Sequence, residues 1–336
     1  MCGIAGFVND MPIDVKCPVL QRMTDMIAHR GPDSEGHYID EHAALGHRRL
    51  SIIDLGGGQQ PIYNEDGSKV ITFNGEIYNY QTLREELIAA GHTFTTKSDT
   101  EVLLHGYEQW GVDLLQRVRG MFTFVIWDKN KQELFGARDH FGIKPFYYAK
   151  MNGTFMYASE IKSLLRHPDF VKELNAEALK PYMTFQYPAI GETFFKGVYK
   201  LPEGHYFTYR DGKMDIHRYY DEDFREGKQK LGELVNSIDQ TVCDSVKAHQ
   251  IADVDVPRTG DDLHRLLPAD VELADPHVVA VGVLFHGEDL ARDHVFEALV
   301  QSLDGLDLGA GERHFIVELL VGDVVEVNKF VEPISA

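Results

Sequence analysis

Alternating apolar and polar positions predict three antiparallel hairpins in the first 220 residues. The segment MFTFVIWDKNKQELFGARD places two apolar strands around a turn at residues 128–131. FYYAKMNGTFMYAS turns at Asn152-Gly153, and HYFTYRDGKMDIHRYY turns at Asp211-Gly212. Such dipeptides accept the positive φ angles that match the twist of paired strands. Antiparallel strands with helices between them predict an α+β fold of layered sheets covered by helices.

Two helices are predicted between these strands. TLREELIAAG begins with a capping box from Thr82 to Glu85 and ends at Gly91. SDTEVLLHGYEQWG repeats this pattern, and its start and stop residues are Ser98, Glu101 and Gly111.

A longer amphipathic helix and a change of composition divide the rest of the chain. Apolar residues recur every three or four positions at Leu231, Leu234, Ile238, Val242 and Val246. We therefore predict a first domain over residues 1–220, a helical segment over 221–256 and a divergent tail over 257–336. The tail has no Tyr or Trp and carries sixteen acidic residues against five basic ones. Its composition does not decide among a small α/β module, a foreign fusion and an out-of-frame translation.

Composition excludes several classes of function. The 336 residues carry a formal net charge of −20, which disfavours nucleic acid and anionic membranes as partners. No apolar run approaches the roughly 18 residues of a membrane span, and no signal-peptide pattern is present. The three cysteines, Cys2, Cys17 and Cys243, lack CxxC spacing and fit a cytoplasmic protein. Sixteen histidines are scattered without an HExxH motif, so no metal site is predicted.

The cysteine behind the initiator methionine has two interpretations. A lone cysteine is commonly a small buried hydrophobic residue. If Met1 is removed, however, Cys2 carries a thiol and a free α-amine on one residue. An α-amine with a pKa of about 7.7–8.0 is partly neutral at cellular pH and can accept the thiol proton. Cys2 is then a nucleophile that needs no histidine partner.

Seven motifs in a fixed order behind Cys2 favour the nucleophile. They are HRGPDSEG (29–36), HRRLSIID (47–54), FNGEIYN (73–79), SDTE (98–101), RGMF (119–122), ARDHFGIKPFYY (137–148) and ASEIKSLL (158–165). The ordered set closely resembles the glutaminase half of glutamine-hydrolysing asparagine synthetases, over about residues 1–256. The resemblance implies a class II glutamine amidotransferase with the four-layer αββα fold of N-terminal-nucleophile hydrolases, acting on L-glutamine.

The resemblance implies catalytic roles for three residues. Cys2 attacks the side-chain carbonyl of glutamine, releases ammonia and leaves a glutamyl thioester for water. Asn74 Nδ2 and the Gly75 N–H donate hydrogen bonds to the developing oxyanion. A hairpin turn at Asn74-Gly75 is the alternative, and it is disfavoured because EIYN follows directly.

The resemblance also assigns residues to the two charged ends of glutamine. Arg49 aligns with the ligand of the α-carboxylate, which a planar guanidinium binds in a bidentate manner, and Arg48 is expected to be a solvated neighbour. Asp99, with the backbone of Glu76, is assigned to the α-ammonium, although an acid at a helix start is favoured in any case. The backbone expected to complete the pocket is that of Leu50, Ser51, Ile52 and Ile53.

Two conspicuous stretches are interpreted as structural. LGGGQQP at 55–61 matches neither GxxxxGK(S/T) nor GxGxxG, so it is expected to be a turn-forming loop. His29 and Arg30 are expected to hold the pocket loop and to take no part in catalysis.

The synthetase half of the family is not recognisable. In the family, an SGG-containing loop follows the equivalent of ADVDV and binds the pyrophosphate of ATP. Here PRTGDDLHRLLPADVELADP follows instead, no SGG tripeptide occurs, and the remaining residues are too few for that domain. The glutaminase half needs no cofactor. The resemblance implies ATP and Mg for ligation, but their binding site is not found, so we expect glutamine hydrolysis without asparagine formation.

Two other functions remain open. One is an amidotransferase that supplies ammonia to a different acceptor, although ARDHFGIKPFYY and ASEIKSLL favour the asparagine branch. The other is a non-hydrolytic glutamine-binding scaffold that docks through its acidic tail and retains Met1. A homo-oligomer and a separate synthetase partner are both left open.

Overall fold

The computed structural model describes residues 2–186, 191–222, 230–249 and 251. The strands in them are β1 (Gly3–Val8), β2 (Ser34–Ile39), β3 (Ala43–Arg49), β4 (Ile62–Tyr63), β5 (Lys69–Ile77), β6 (Gly120–Asp128), β7 (Glu133–Arg138), β8 (Tyr147–Met151), β9 (Thr154–Ala158), β10 (Val198–Lys200), β11 (His205–Arg210) and β12 (Lys213–Arg218). The helices are α1 (Ile13–Asp25), α2 (Tyr80–Ala89), α3 (Asp99–Trp110), α4 (Ile161–Leu164), α5 (Ala176–Phe185) and α6 (Leu231–His249). The chain divides into two units, of which the first comprises residues 1–225 and 251–254 and the second includes α6.

Two six-stranded sheets form the centre of the first unit. Their strand orders are β10-β8-β9-β1-β3-β2 and β12-β11-β7-β6-β5-β4. Ile4 and Phe155 of the first sheet pack against Trp127 and Phe207 of the second in a buried apolar cluster. Helices α1 and α4 cover the outer face of the first sheet, and α2 and α3 cover that of the second. The predicted α+β, four-layer αββα fold is therefore confirmed.

The three predicted hairpins are confirmed as β6–β7, β8–β9 and β11–β12, each antiparallel. Asn152 and Asp211 both have a φ of 50°, and the glycines that follow, Gly153 and Gly212, have φ of 82° and 72°. These are the left-handed conformations that the two dipeptides predict, so local sequence sets these turns.

The capping box predicted for α2 is wrong at its start. The helix begins at Tyr80 and its N-cap is Asn79, so Thr82 already lies inside the first turn. Asn79 is fixed from outside the helix, since its Oδ1 accepts from Arg119 N and its Nδ2 donates to Arg117 O, both at 2.8 Å. The predicted stop is confirmed: the helix ends at Ala89, and Gly91 has a φ of 105°.

Helix α3 begins and ends where the sequence predicts. Ser98 is its N-cap and accepts a hydrogen bond from Thr100 N, and Gly111 is its C-cap with a φ of 59°. Glu101 does not reach back to Ser98 as a capping box requires. Its carboxylate instead accepts hydrogen bonds from the amides of Thr95 and Thr96, both at 2.7 Å.

The predicted long helix is confirmed as α6, the described part of the second unit. Its apolar residues Leu234 and Ile238 are exposed. None of the helices in the described ranges is both long and apolar enough to cross a membrane. The features predicted for residues 257–336 lie outside the described residues.

Candidate active site

Cys2 lies directly before β1, at the edge where β3 ends. Because Gly3 pairs with Arg48, the chain after β3 passes beside the thiol. Sγ is 3.4 Å from Leu50 N and 3.5 Å from Leu50 O. Burial raises the pKa of the Cys2 thiol, and the hydrogen bond with Leu50 only partly opposes this. The thiol therefore needs a base before it can act as a nucleophile.

The backbone of Cys2 is held by Arg30. Arg30 Nε donates to Cys2 O at 3.0 Å, and Arg30 Nη1 lies 3.1 Å from Glu160 Oε1. His29 Nε2 contacts the same carboxylate oxygen at 2.8 Å. This geometry fits the structural role predicted for His29 and Arg30.

One edge of β5 is open beside Cys2, because the short strand β4 pairs only with Val70 and Ile71. Phe73 N donates to Gln60 Oε1 at 2.6 Å, and Ile77 N donates to Asp99 Oδ2 at 3.0 Å. Since alternate residues of a strand direct their amides to the same side, the Gly75 N–H faces this edge as well.

The pairing of Gly75 on its other side supports this orientation. Gly75 lies opposite Phe122 in the β5–β6 ladder. Phe122 directs its N–H to Asp139 Oδ2 at 3.2 Å and accepts from Asp139 N at 2.8 Å, both away from β5. A Cβ at Gly75 would lie only 2.2 Å from Met121 O, so no larger residue fits. Asn74 and Gly75 thus belong to a continuous strand, and the alternative of a hairpin turn is wrong.

Asn74 carries an unsatisfied donor. Its side chain is 1% exposed, and Nδ2 has no hydrogen-bond partner among the described residues. Buried polar groups are nearly always paired, and an unpaired one costs about 1–3 kcal/mol. The Asn74 amide is therefore available for a ligand in the cleft.

Arg49 is buried at the end of β3, where the following loop wraps its guanidinium. Nη2 donates to Ile53 O at 3.0 Å and to Asp54 O at 2.6 Å. A Cβ at Gly58 would lie 2.7 Å from Nη2, so the glycine of LGGGQQP allows the loop to close over the arginine. This loop orients Nη2 and leaves the other nitrogens of Arg49 without a partner in the described part of the chain.

Arg48 is not the solvated neighbour that the sequence predicts. Its Nη2 lies 2.5 Å from Asp25 Oδ1 and 2.6 Å from Glu35 Oε2, and its side chain is only 15% exposed. Successive residues of a strand face opposite sides, so Arg48 contacts α1 and β2 while Arg49 faces the cleft.

Two carboxylates, Asp99 and Glu76, line the same cleft as Arg49. Asp99 is fully buried at the start of α3, and burial raises its pKa to about 6, despite hydrogen bonds from Ile77 N and Ser98. Burial also raises the pKa of Glu76 to about 7, and the Asp99 carboxylate raises it further. Lys144, buried in the same lining, has its pKa lowered by burial. At Asp99 and Glu76 the cost of burying the ionised carboxylate thus exceeds the stabilisation from the surrounding groups.

These residues line one cleft. Nine of the ten predicted site residues line it: Cys2, Arg49, Leu50, Ile52, Ile53, Asn74, Gly75, Glu76 and Asp99. Ser51 does not, because its amide donates to Asp33 Oδ2 at 2.7 Å.

Seven further lining residues were not predicted: Gly58, Gln60, Phe73, Ser98, Thr100, Met121 and Lys144. Each of the seven lies inside a sequence segment quoted above, and its place in that segment is the feature by which the sequence could have indicated it. In the described part of the lining, no three metal-binding side chains come together.

The fold and the cleft define the class of this protein. Residues 1–220 match the family described as the glutamine amidotransferase domain, and the chain belongs to that family. This confirms the resemblance found in the motifs.

Particular relatives add detail. The chain is 44% identical over 260 residues to the glutamine-hydrolyzing asparagine synthetase 1 of Bacillus subtilis (strain 168), covering 76% of this chain and 41% of the relative. It is 34% identical over 279 residues to amidase chry2 of Gibberella zeae, covering 76% of this chain and 40% of the relative. The chain thus spans about two fifths of the length of these relatives. Among solved structures, the glutamine phosphoribosylpyrophosphate amidotransferase of B. subtilis superposes with a TM-score of 0.49 at 18% identity, covering 66% of this chain and 50% of that one.

Proposed function

We propose that this chain hydrolyses the side-chain amide of glutamine to glutamate and ammonia. The observation that supports this best is that the unpartnered Asn74 Nδ2 and the edge N–H of Gly75 line the same cleft as the Cys2 thiol. Two unpaired donors beside a nucleophile suit an oxyanion, and one such donor contributes about 2.7–4 kcal/mol in related chemistry. A purely structural cysteine does not account for the buried, unpaired amide.

The reaction starts from the processed chain. Removal of Met1 gives Cys2 an α-amine, which accepts the thiol proton directly or through a water. The sulfur attacks the side-chain carbonyl, and the oxyanion accepts hydrogen bonds from Asn74 and Gly75. The C–N bond breaks as the ammonium returns its proton to the leaving nitrogen, which departs as ammonia. Water then adds to the thioester, and cleavage of the C–S bond yields glutamate and the thiol.

The charged ends of glutamine explain the buried charges of the cleft. Arg49 binds the α-carboxylate through the nitrogens that the loop leaves unpaired. Asp99 binds the α-ammonium. Each protein charge is costly to bury alone, and a zwitterionic amino acid neutralises both at once.

Replacement of the nucleophile tests this proposal. Cys2→Ser should abolish ammonia release while glutamine still binds, and Cys17→Ser, which alters an exposed thiol on α1, should leave release unchanged. Intact-mass spectrometry of each sample establishes whether Met1 is absent. If Cys2→Ser keeps most of the activity, the nucleophile is misassigned. Glutamine binding without turnover would favour the glutamine-binding scaffold, in which Met1 is expected to be retained.

The acceptor of the ammonia is a separate part of the proposal. Similarity to the asparagine synthetase of B. subtilis favours aspartate activated by ATP and Mg as the acceptor. We propose that this chain does not itself complete that step, because a proline- and aspartate-rich segment stands where an ATP-binding loop would follow ADVDV. Phosphate binding requires a dense set of backbone N–H donors, and the negative charge of this segment opposes a polyanion.

Direct ligation is measured by supplying aspartate, Mg-ATP and ammonium. Neither asparagine nor pyrophosphate should form above the blank. Their appearance would show that the tail supplies the synthetase function, while glutamine hydrolysis by Cys2 would remain to be judged by its own assay.

A further inference from the structure

Two histidines and two glutamates from three segments face one another at the C-terminal half of α3. Glu65 belongs to the turn between β4 and β5, His92 follows α2, and His105 and Glu108 lie on α3. One ligand atom from each lies within 4.8 Å of all the others. We infer that this histidine–glutamate cluster binds a zinc ion, which departs from the sequence-based expectation of no metal site.

The separations between the ligand atoms fit a tetrahedral ion. His105 Nδ1 lies 3.1 Å from Glu108 Oε2 and 3.4 Å from Glu65 Oε2, and His92 Nδ1 lies 3.4 Å from Glu65 Oε1. A tetrahedral zinc with bonds of about 2.0–2.1 Å holds its ligand atoms about 3.3 Å apart. The other separations are at most 4.8 Å, so the more exposed side chains of Glu65 and His92 rotate inward to complete the shell.

Both imidazoles present Nδ1 to the centre of the cluster, and each Nε2 faces a side-chain oxygen outside it. His105 Nε2 lies 3.5 Å from Glu101 Oε1, and His92 Nε2 lies 3.1 Å from Gln109 Oε1. The contact with Gln109 is a hydrogen bond that fixes the His92 ring, which is the usual outer contact of a metal-binding histidine, whereas His105 Nε2 is buried and makes no hydrogen bond within the described residues.

The carboxylates are positioned in the same way. Glu108 Oε1 accepts from Asn64 Nδ2 at 2.7 Å, which directs Oε2 to His105. Glu101 is held by the amides and hydroxyls of Thr95 and Thr96. The Glu108 oxygen that faces the cluster is thus oriented by a separate outer contact of the same carboxylate.

The charges of the cluster match a divalent cation. When both histidines are neutral, as metal binding requires, the carboxylates of Glu65, Glu101 and Glu108 are paired with one ammonium in the described part of the chain, that of Lys69, which lies 3.4 Å from Glu108 Oε1. The remaining charge of −2 equals that of the ion with opposite sign. Two imidazoles with two carboxylates suit zinc, whereas magnesium and calcium prefer oxygen-only shells. A neighbouring cleft that includes Glu65, Thr93 and Glu101 in its lining gives access from solvent.

Zinc at this position would join the β4–β5 turn and the segment after α2 to the buried helix α3. The full chain, purified without a polyhistidine tag and treated with chelator, is titrated with zinc by calorimetry and with cobalt by absorption spectroscopy. We expect about one zinc per chain at this site, a visible cobalt spectrum typical of tetrahedral coordination, and a Tm higher by roughly 4 °C or more at saturation.

Three variants distinguish this site from the thiols and from the tail. His92→Gln and Glu65→Gln, both at partly exposed positions, should each lower zinc affinity by at least about tenfold and remove the tetrahedral cobalt spectrum. His42→Gln is the matched control, because His42 also faces a single carboxylate, that of Asp10, and lies outside the cluster. The zinc affinity of His42→Gln should equal that of the parent chain. Zinc binding that His92→Gln and Glu65→Gln leave unchanged, or no binding by the parent, would overturn the inference. Circular dichroism confirms that each variant is folded.

Discussion

Two buried carboxylates in the first turn of α3, Asp99 and Glu101, have pKa values shifted in opposite directions. Asp99, the first residue of α3, receives hydrogen bonds from Ile77 N and Ser98, but they do not outweigh burial, which raises its pKa to about 6. Glu101 is equally buried two residues later, and burial would raise its pKa as well. There, the contact with His105 and the hydrogen bonds from Thr95 and Thr96 outweigh burial and lower the pKa to about 2.

The contrast shows that one buried carboxylate stabilises the fold, while the other is left incompletely paired at the cleft. Glu101 has all its partners within the domain, so its charge supports the structure. Asp99 carries a charge that the folded domain does not fully compensate, and such groups concentrate where a ligand supplies the missing partner. The incompletely compensated charge of Asp99 therefore lowers the stability of the free protein, whereas the ionised Glu101 raises it.

Removal of the two carboxylates should have effects of opposite sign on stability. Asp99→Asn should lower kcat/KM for glutamine by at least about 100-fold, since one partner of a buried charge pair is lost. The folded state binds the Asp99 proton more tightly than the unfolded chain, so this residue costs stability as pH rises from about 4 to 6. At pH 8, Asp99→Asn should therefore raise the free energy of unfolding by about 1–2 kcal/mol.

Glu101→Gln should instead lower the free energy of unfolding by about 2 kcal/mol in chelator-treated protein, because two amides and two hydroxyls lose an ionised acceptor. Urea denaturation at pH 8 measures both variants. A loss of stability in both would mean that Asp99 is compensated within the fold like Glu101.

The two adjacent arginines give a second comparison. Arg49→Lys keeps the charge but loses the planar guanidinium, and KM for glutamine should rise by about 10-fold or more. Arg48→Lys alters a group that pairs with Asp25 and Glu35 on the other face of β3, and KM should stay near that of the parent. Steady-state kinetics with ammonia detection measures both variants. Equal rises in KM would show that the carboxylate ligand is misplaced.

The pH dependence of binding should follow Asp99. The α-ammonium of glutamine requires the ionised carboxylate, so kcat/KM should fall by up to about tenfold per unit as pH drops below about 6. The profile is measured at constant ionic strength between pH 5 and 8. In Asp99→Asn, the residual activity should lose this additional fall below about pH 6 and keep only the decline caused by protonation of the Cys2 α-amine. An additional fall that persists in the variant would belong to another group.

The smallest expected effect tests the start of α2. Asn79→Ala removes two hydrogen bonds to the chain before β6 and should cost about 1 kcal/mol of stability. Thr82→Ala lies within the helix and should change stability by less than about 0.5 kcal/mol. Thermal denaturation separates the two, and a larger loss in Thr82→Ala would restore the capping box.

The sequence predicts those features of the fold that depend on residues adjacent along the chain. Asn152-Gly153 and Gly111 fix their own backbone angles, so the turn and the helix end follow directly. The α2 start was predicted wrongly because Asn79 is held by residues almost forty positions away.

The same distinction applies to the site. Motifs located nine of its residues, but Gln60 and Lys144 received no role because only the folded chain brings them to the cleft. The histidine–glutamate cluster left one local sign, the spacing of His105 and Glu108 by three residues on one helix. His92 and Glu65 join them from separate turns. No periodic pattern in the sequence indicates that these residues lie close to α3.

The contact between Gly75 and Met121 O has a consequence for how this position can vary. The catalytic proposal needs only the N–H of residue 75, which every amino acid except proline supplies. The sheet needs the absence of a Cβ, because β6 leaves no space for one. A library randomised at position 75 and selected only for soluble expression should therefore still return glycine, whereas the same selection at position 74 should accept many residues. Architecture alone would thus restrict position 75, with no selection for activity.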